Sequence, residues 1–358
     1  MSTYSRRVSN KLHLMILDYY KEARFEVPED LSQREVAVQT VDGGMVRHMS
    51  ASDVEELRSI VLKKRGLDVY VSTASYRDPA APSMEAKGWL RADLQFDIDV
   101  DHAPGCGPAY KVCGETVVPS SADCAGDPLP LLPKECLYFG FERATKLIDV
   151  LEKYFGVERE KVELHFSGNR GFHVVARDTQ YDAADQTLRR EVVDFIVGDL
   201  LIKEKFCLKE NCFVPKPDEP GWRGRLGEAL SKLLPERVRL WGEVDDPEAL
   251  FERALSSAKI DVDKQVTVDT SRLLRVLGSV NRKSALVVKR VDKFVWDFSL
   301  SPFVSYVTLV RSRYNFKLDV LGKHVSMKKG EVGELPGPAG AYLAAKGLVE
   351  ILRFDRAP

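Results

Sequence analysis

Three acidic residues stand two apart in the run Leu94-Gln-Phe96-Asp97-Ile98-Asp99-Val100-Asp101. Side chains alternate along a strand, so Leu94, Phe96, Ile98 and Val100 share one face and Asp97, Asp99 and Asp101 the other. Two positions span about 6.5 Å, so two carboxylates can lean over one ion. Held about 5 Å apart, they repel by about 3 kcal/mol at an effective dielectric of 20, and a cation relieves that repulsion. Carboxylate oxygens select Mg²⁺ or Mn²⁺. A half-exposed antiparallel strand with a solvated acidic face has the same alternation, so this run alone does not decide between the two.

A second segment, Ser167-Gly168-Asn169-Arg170-Gly171-Phe172-His173, lies between two strand-like runs. Successive backbone N–H groups in a glycine-containing turn form an anion-binding concavity, and Arg170 adds a fork suited to phosphate oxygens. His173 follows on the next strand, where it can face the same cavity. A plain hairpin corner with a packed histidine is the competing account.

The third segment runs Asp261-Val-Asp263-Lys-Gln-Val-Thr267-Val-Asp269, with Arg272, Arg275, Asn281, Arg282 and Lys283 after it. A third acid here can complete a metal cluster, and the basic residues can hold phosphates. The same acid-then-base order also suits an ordinary helix start.

Cys106, Cys113, Cys124 and Cys136 sit in an irregular Gly/Pro-rich stretch that includes His102. Four thiolates can close a structural Zn²⁺ site, although no Cys-x-x-Cys pair is present; disulfides or free thiols remain the alternative. Cys207 and Cys212 read as buried small side chains or a local disulfide.

The elements that position these groups follow from pattern. Asn10 to Tyr20 is amphipathic. Arg34 to Val41 and Met45 to His48 form a hairpin about Asp42-Gly43-Gly44, which supplies the positive φ of a tight turn. Ser52-x-x-Glu55 opens a helix through Leu62 and Lys63. Val69 to Ser72, Leu94 to Val100, Lys161 to Phe166 and Phe172 to Ala176 are strand-like. Phe141, Ala144, Leu147, Ile148, Leu151 and Phe155 repeat at helical spacing. Residues 181–257 read as charged helices inserted into the core, Ser271 to Leu277 as a short helix, and 317–353 as mixed.

The chain has 358 residues, 44% hydrophobic, enough for one large domain with insertions or two smaller ones. Its formal charge of −1 gives no global attraction to a polyanion, so any such contact is local. Apolar runs fall short of a membrane span, and Met1 to Lys11 lacks a signal-peptide layout, which makes a cytoplasmic protein the expectation. Asn and Gln are scarce beside the charged residues, the mix of hot environments, where intracellular disulfides also occur.

In this order the motifs resemble the archaeo-eukaryotic DNA primase small subunit, the archaeal type. The resemblance runs from Arg34-Glu35 through Tyr70-Val-Ser72, Ser83-Met-Glu-Ala-Lys-Gly-Trp89, Phe96-Asp-Ile-Asp99, Ser167 to His173 and Asp263 to Thr267, to the end near Val349. It implies an α/β fold, an antiparallel-sheet catalytic core flanked by helices, covering 1–358, with a zinc stem at 102–136 and a helical insertion at 181–257. Asp97, Asp99 and Asp263 are then the carboxylates for Mg²⁺ or Mn²⁺. Ser167, Gly168, Arg170, Gly171 and His173 hold the triphosphate, with Arg47, Arg275 and Asn281 contributing. Cys106, Cys113, Cys124 and Cys136 would hold the Zn²⁺.

The implied activity is template-directed synthesis of short primers on single-stranded DNA from nucleoside triphosphates by two-metal phosphoryl transfer. The implied partner is a large subunit carrying an iron–sulfur cluster. Two positions depart from the family pattern: Asn281 replaces a usual His, and Asn169 stands where Arg is common in the turn. A repair-type primase-polymerase extending existing ends, and a zinc-stabilised nucleic-acid-binding scaffold, are the rival readings.

Overall fold

The structure, a computed structural model, describes residues 10–199 and 201–356. The side chain of His102 and most of the Met1 to Lys11 segment lie outside the described residues.

In chain order the elements are α1 (Asn10–Tyr20), β1 (Arg34–Thr40), β2 (Met45–Met49), α2 (Val54–Lys63), β3 (Gly66–Tyr76), β4 (Trp89–Ala92) and β5 (Leu94–Asp99). A small sheet follows, β6 (Tyr110–Cys113), β7 (Thr116–Pro119) and β8 (Asp127–Pro128), then α3 (Lys134–Phe155), β9 (Val162–Phe166) and β10 (Gly171–Ala176). Next come α4 (Gln186–Val197), α5 (Gly221–Ser231), α6 (Pro247–Ala258), α7 (Lys264–Val268) and the short strands β11 (Leu273–Arg275), β12 (Val280–Asn281), β13 (Leu286–Val287) and β14 (Lys289–Arg290). The chain closes with β15 (Tyr306–Ser312), β16 (Phe316–Val320), β17 (Lys323–Met327), β18 (Val332–Pro336), α8 (Gly337–Ala345) and β19 (Val349–Arg356).

Two antiparallel sheets form the centre. One has the order β11-β3-β1-β2 with β4 also on β3, and the other the order β14-β9-β10-β5. The apolar face of β5 is buried as alternation requires, with Leu94, Phe96 and Ile98 in the core. Phe172 on β10 joins them, and its ring meets Phe141 of α3, Phe166 and Phe294. α3 thus covers one side of this sheet and leaves the Asp97 side for chemistry. A third antiparallel sheet, β18-β15-β19, packs against the wholly apolar α8 near the C-terminal end. Phe206, Leu226, Trp241, Phe251 and Leu255 form a separate core within the segment around α5 and α6. Among the described residues no helix is long and apolar enough to cross a membrane.

Four expectations need correction. The zinc site is absent: Cys106 is bonded to Cys136 and Cys113 to Cys124, with Cα separations of 5.7 and 6.3 Å. Sulfurs bonded to each other are no longer thiolates, the form that binds zinc. Cys207 and Cys212 also form a disulfide. The helix cap lies one residue later than Ser52: Asp53 accepts from the Glu56 N–H, and Glu56 accepts from Ser52. Ser271 to Leu277 is not helical, because Leu273 to Arg275 pair with β3. β5 ends at Asp99, and Asp101 falls in a single tight turn, so it leaves the acidic strand face.

Candidate active site

Register places the chemistry. Asp97 on β5 stands opposite His173 on β10, and His173 opposite His165 on β9, so these three share one face. His173 Nε2 lies 3.7 Å from Asp97 Oδ1. Burial pushes the Asp97 carboxyl up to about 7, helped by the nearby charges of Asp99 and Asp263. The Asp263 N–H donates to the Asp97 carbonyl at 3.0 Å, which ties the start of α7 to the acidic strand. Asp269, by contrast, accepts from Ser271 and pairs with Arg272, and its charge acts on Arg47. Between Asp263 and Asp269, Asp263 is therefore the one that lies beside Asp97.

The carboxylates are not closed up on one another. Asp99 accepts from Arg170 Nε at 3.2 Å, and Asp263 caps α7 by accepting from the Gln265 N–H at 2.9 Å. Among the described residues no group of three His, Cys, Asp or Glu side chains is arranged to hold a metal ion. The donor set nonetheless fits a hard divalent cation, being all carboxylate oxygen, with one member held near neutrality by burial and then by its neighbours' charge.

The turn after β9 is closed at its base. Ser167 N–H donates to Gly171 O at 3.0 Å, and Gly171 N–H returns to Ser167 Oγ at 3.2 Å. Gly168 has φ +79, and a Cβ there would lie 2.9 Å from Asn281 Cβ. Gly171 passes so close to β5 that a Cβ would sit 2.6 Å from Ile98 O. Both glycines are thus required by the backbone path. Arg170 stands between Asp99 and Asp101, with Nη1 2.6 Å from Asp101 Oδ2.

His173 is buried, and its pKa is driven down to about 3 by desolvation, then by His165 and Arg275. It is thus held neutral, a hydrogen-bond donor without positive charge. Arg275 lies over the Tyr70 ring, 5.1 Å from its centroid, and donates to Asp68 at 3.2 Å. Its charge acts on both Asp97 and His173. Asn281 is buried; its amide donates to Ser167 O at 3.1 Å and its carbonyl accepts from the Lys283 N–H. That amide is engaged in holding the turn. Arg47 is bound to buried Glu35 at 2.9 Å on the other sheet.

Two groups here escaped sequence reasoning. Asp68 is buried and receives Arg275 and also Arg282 at 2.9 Å. A lone acid in the apolar run Leu67-Asp68-Val69 is the signal that could have found it. Lys346, just past α8, donates to Asn169 Oδ1 at 3.0 Å.

The family model for the DNA primase small subunit matches residues 96–293, which span the acidic strand, the turn and the third acid. The chain belongs to the DNA primase small-subunit family. It is 33% identical to the DNA primase small subunit PriS of Sulfolobus acidocaldarius, over 95% of this chain and 94% of that protein. It is 31% identical to the PriS of Hyperthermus butylicus over 92% and 93%, and 32% identical to that of Aeropyrum pernix over 90% and 87%. As a member of this archaeal-type family the chain is a nucleotidyltransferase.

Proposed function

We propose that this chain is the catalytic subunit that makes short primers on single-stranded DNA from nucleoside triphosphates. The observation that carries the reading is the convergence of Asp97 and Asp99 on β5, Asp263 at the start of α7, Arg170 in the turn and Arg275 on β11, whose charges act on one another around Asp97. The three carboxylates would hold Mg²⁺ or Mn²⁺, which when bound lower the pKa of an attacking 3′-hydroxyl and neutralise charge growing on the triphosphate. Arg170 and Arg275 bind and orient phosphate oxygens with preorganised positive charge. His173 and the N–H groups of the Ser167–Gly171 turn add neutral donors. Asn281 acts one step back, by fixing the shape of that turn.

The same reading gives the segment at 181–257 the status of an insertion in one catalytic domain. Its other members are a cytoplasmic setting and a large primase subunit as partner, the latter supported by the small-subunit name of the relatives. The test is synthesis on single-stranded DNA with nucleotides and Mg²⁺ or Mn²⁺, with and without a primer. Products without a primer support the proposal. Synthesis only from existing ends would favour a repair-type polymerase, and DNA binding without metal-dependent synthesis would favour a scaffold.

A further inference from the structure

A cavity of about 550 Å³ opens beside the Ser167–Gly171 turn. Its cations come from three separate places: Arg170 on the turn beside Asn169, Arg282 and Lys283 after β12, and Lys346 after α8. Trp296 and Tyr342, packed edge to face at 5.9 Å, line an apolar side. Pockets of this size hold small ligands, and aligned cations mark an anion. Asp101 also lines it, in ion pair with Arg170.

Lys346 is the unusual member. It is 4% exposed, with its ammonium 5.3 Å from the Tyr342 ring centroid. Burial, and then Arg170 and Lys283, push its pKa down to about 7. Lys283 is pushed down too, by burial and then by Arg275, Arg170 and Arg282. These cations therefore repel one another around a shared space, an arrangement that a polyanion stabilises and that packing alone does not call for. Lys346 also meets the turn at Asn169, whose Oδ1 accepts from its ammonium at 3.0 Å. A cation from the C-terminal segment thus reaches the turn.

We propose that Lys346 binds the terminal phosphates of the incoming nucleoside triphosphate, in the cationic cavity it shares with Arg170 and Lys283. The inference rests on the reading of the turn as a triphosphate site and adds to it a contact that separates triphosphates from monophosphates. The alternative is a latch: Lys346 merely fastens α8 to the turn.

Calorimetric titration of the full chain with ATP, AMP and inorganic tripolyphosphate in Mg²⁺ tests it, on wild type, Lys346→Gln, Lys346→Arg and Arg170→Ala. Gln still donates to Asn169 but carries no charge. Lys346→Gln should bind ATP and tripolyphosphate about ten- to a hundredfold more weakly and AMP unchanged, with Lys346→Arg recovering much of the loss. Affinity for ATP within threefold of wild type would overturn the proposal, as would an equal loss for AMP and ATP. If Arg170→Ala also leaves ATP binding unchanged, the triphosphate reading of the turn is at fault; if only Lys346→Gln does, the fault is in this inference. A measurement without a variant covers misfolding: at the same concentration, tripolyphosphate should raise the melting temperature of the wild-type chain more than AMP does. An equal rise would count against the proposal.

Discussion

His173 faces Asp97 across the β5–β10 pair, its Nε2 3.7 Å from the carboxylate, and it does so as a neutral ring. A neutral donor is worth about 0.5–1.5 kcal/mol, less than a charged one. His173→Ala should therefore weaken ATP binding by only about three- to tenfold, with template affinity unchanged. His173→Gln, a neutral donor of similar reach, should restore most of it. Equilibrium titration checks this, and a hundredfold loss in His173→Gln would show that charge is what the site needs.

Arg170→Ala should cost more than His173→Ala, because a guanidinium on phosphate makes charge-assisted, two-pronged contacts. A loss of about ten- to a hundredfold in ATP affinity is expected, with Lys at 170 rescuing only in part. A smaller effect than that of His173→Ala would reverse the assigned roles.

The acids make a paired forecast on activity and stability. Asp97 is ionised above about pH 7 only against burial and the charges of Asp99 and Asp263. Asp97→Asn should abolish synthesis and, at pH 8 without metal, raise the melting temperature by a few degrees, since a repelling charge is removed. Asp263→Asn should also abolish synthesis, whereas Asp269→Asn, turned to Ser271 and Arg272, should leave it near wild type. An inactive Asp269→Asn beside an active Asp263→Asn would show that the wrong acid has been chosen.

What the sequence reveals here is what local periodicity encodes. Asp97 and Asp99 are legible because the strand period separates them from Phe96 and Ile98, and the Ser167–Gly171 turn because two strand-like runs flank it. Lys346 is not legible: its partner Asn169 lies 177 residues away, and only the packing of α8 brings them together. Leu273 to Arg275 reads as helix from Leu and Arg propensities, but pairing with β3 overrides them and aims Arg275 at Asp68. For the cysteines, spacing leaves zinc and disulfides equally open, and only the distances between elements decide.

The disulfides carry their own expectation. The Cys106–Cys136 bridge closes 30 residues, from the segment after the acidic strand to the first turn of α3. Loop closure of that length stabilises by about 3–4 kcal/mol in the chain-entropy account. Intact protein should weigh about two mass units less per bridge than the reduced form and contain no stoichiometric zinc. Cys106→Ser with Cys136→Ser should melt several degrees lower yet keep metal-dependent synthesis. One zinc per chain in metal analysis would restore the zinc stem.

Acid stability should depend on a partly buried ion-pair network around Glu163. Glu163 accepts from Arg177 and Arg290, and its side chain lies 2.8 Å from His165 Nε2. Burial alone would raise its pKa, but His165, Arg177 and Arg290 together hold it down to about 2. Asp30 is held to about 2 as well, by Arg34, Ser75 and Arg91 against burial. A carboxylate depressed in the folded state stabilises fully above its unfolded pKa, and that stability is lost as pH falls through the folded one. For Glu163 the window runs from about 4.5 down to about 2. Its contribution at neutral pH is roughly 2–3 kcal/mol at most. Between pH 7 and 4, the depressed His173 favours higher pH while the raised Asp97 favours lower pH, so those two offset each other in part. Glu163→Gln should therefore melt well below wild type at pH 7, and the gap should narrow only once pH drops below about 4.5. Thermal melts of both proteins across pH 7 to 2.5 provide the measurement. A gap that stays constant over the whole range would mean that Glu163 stabilises through shape, with no part played by its charge.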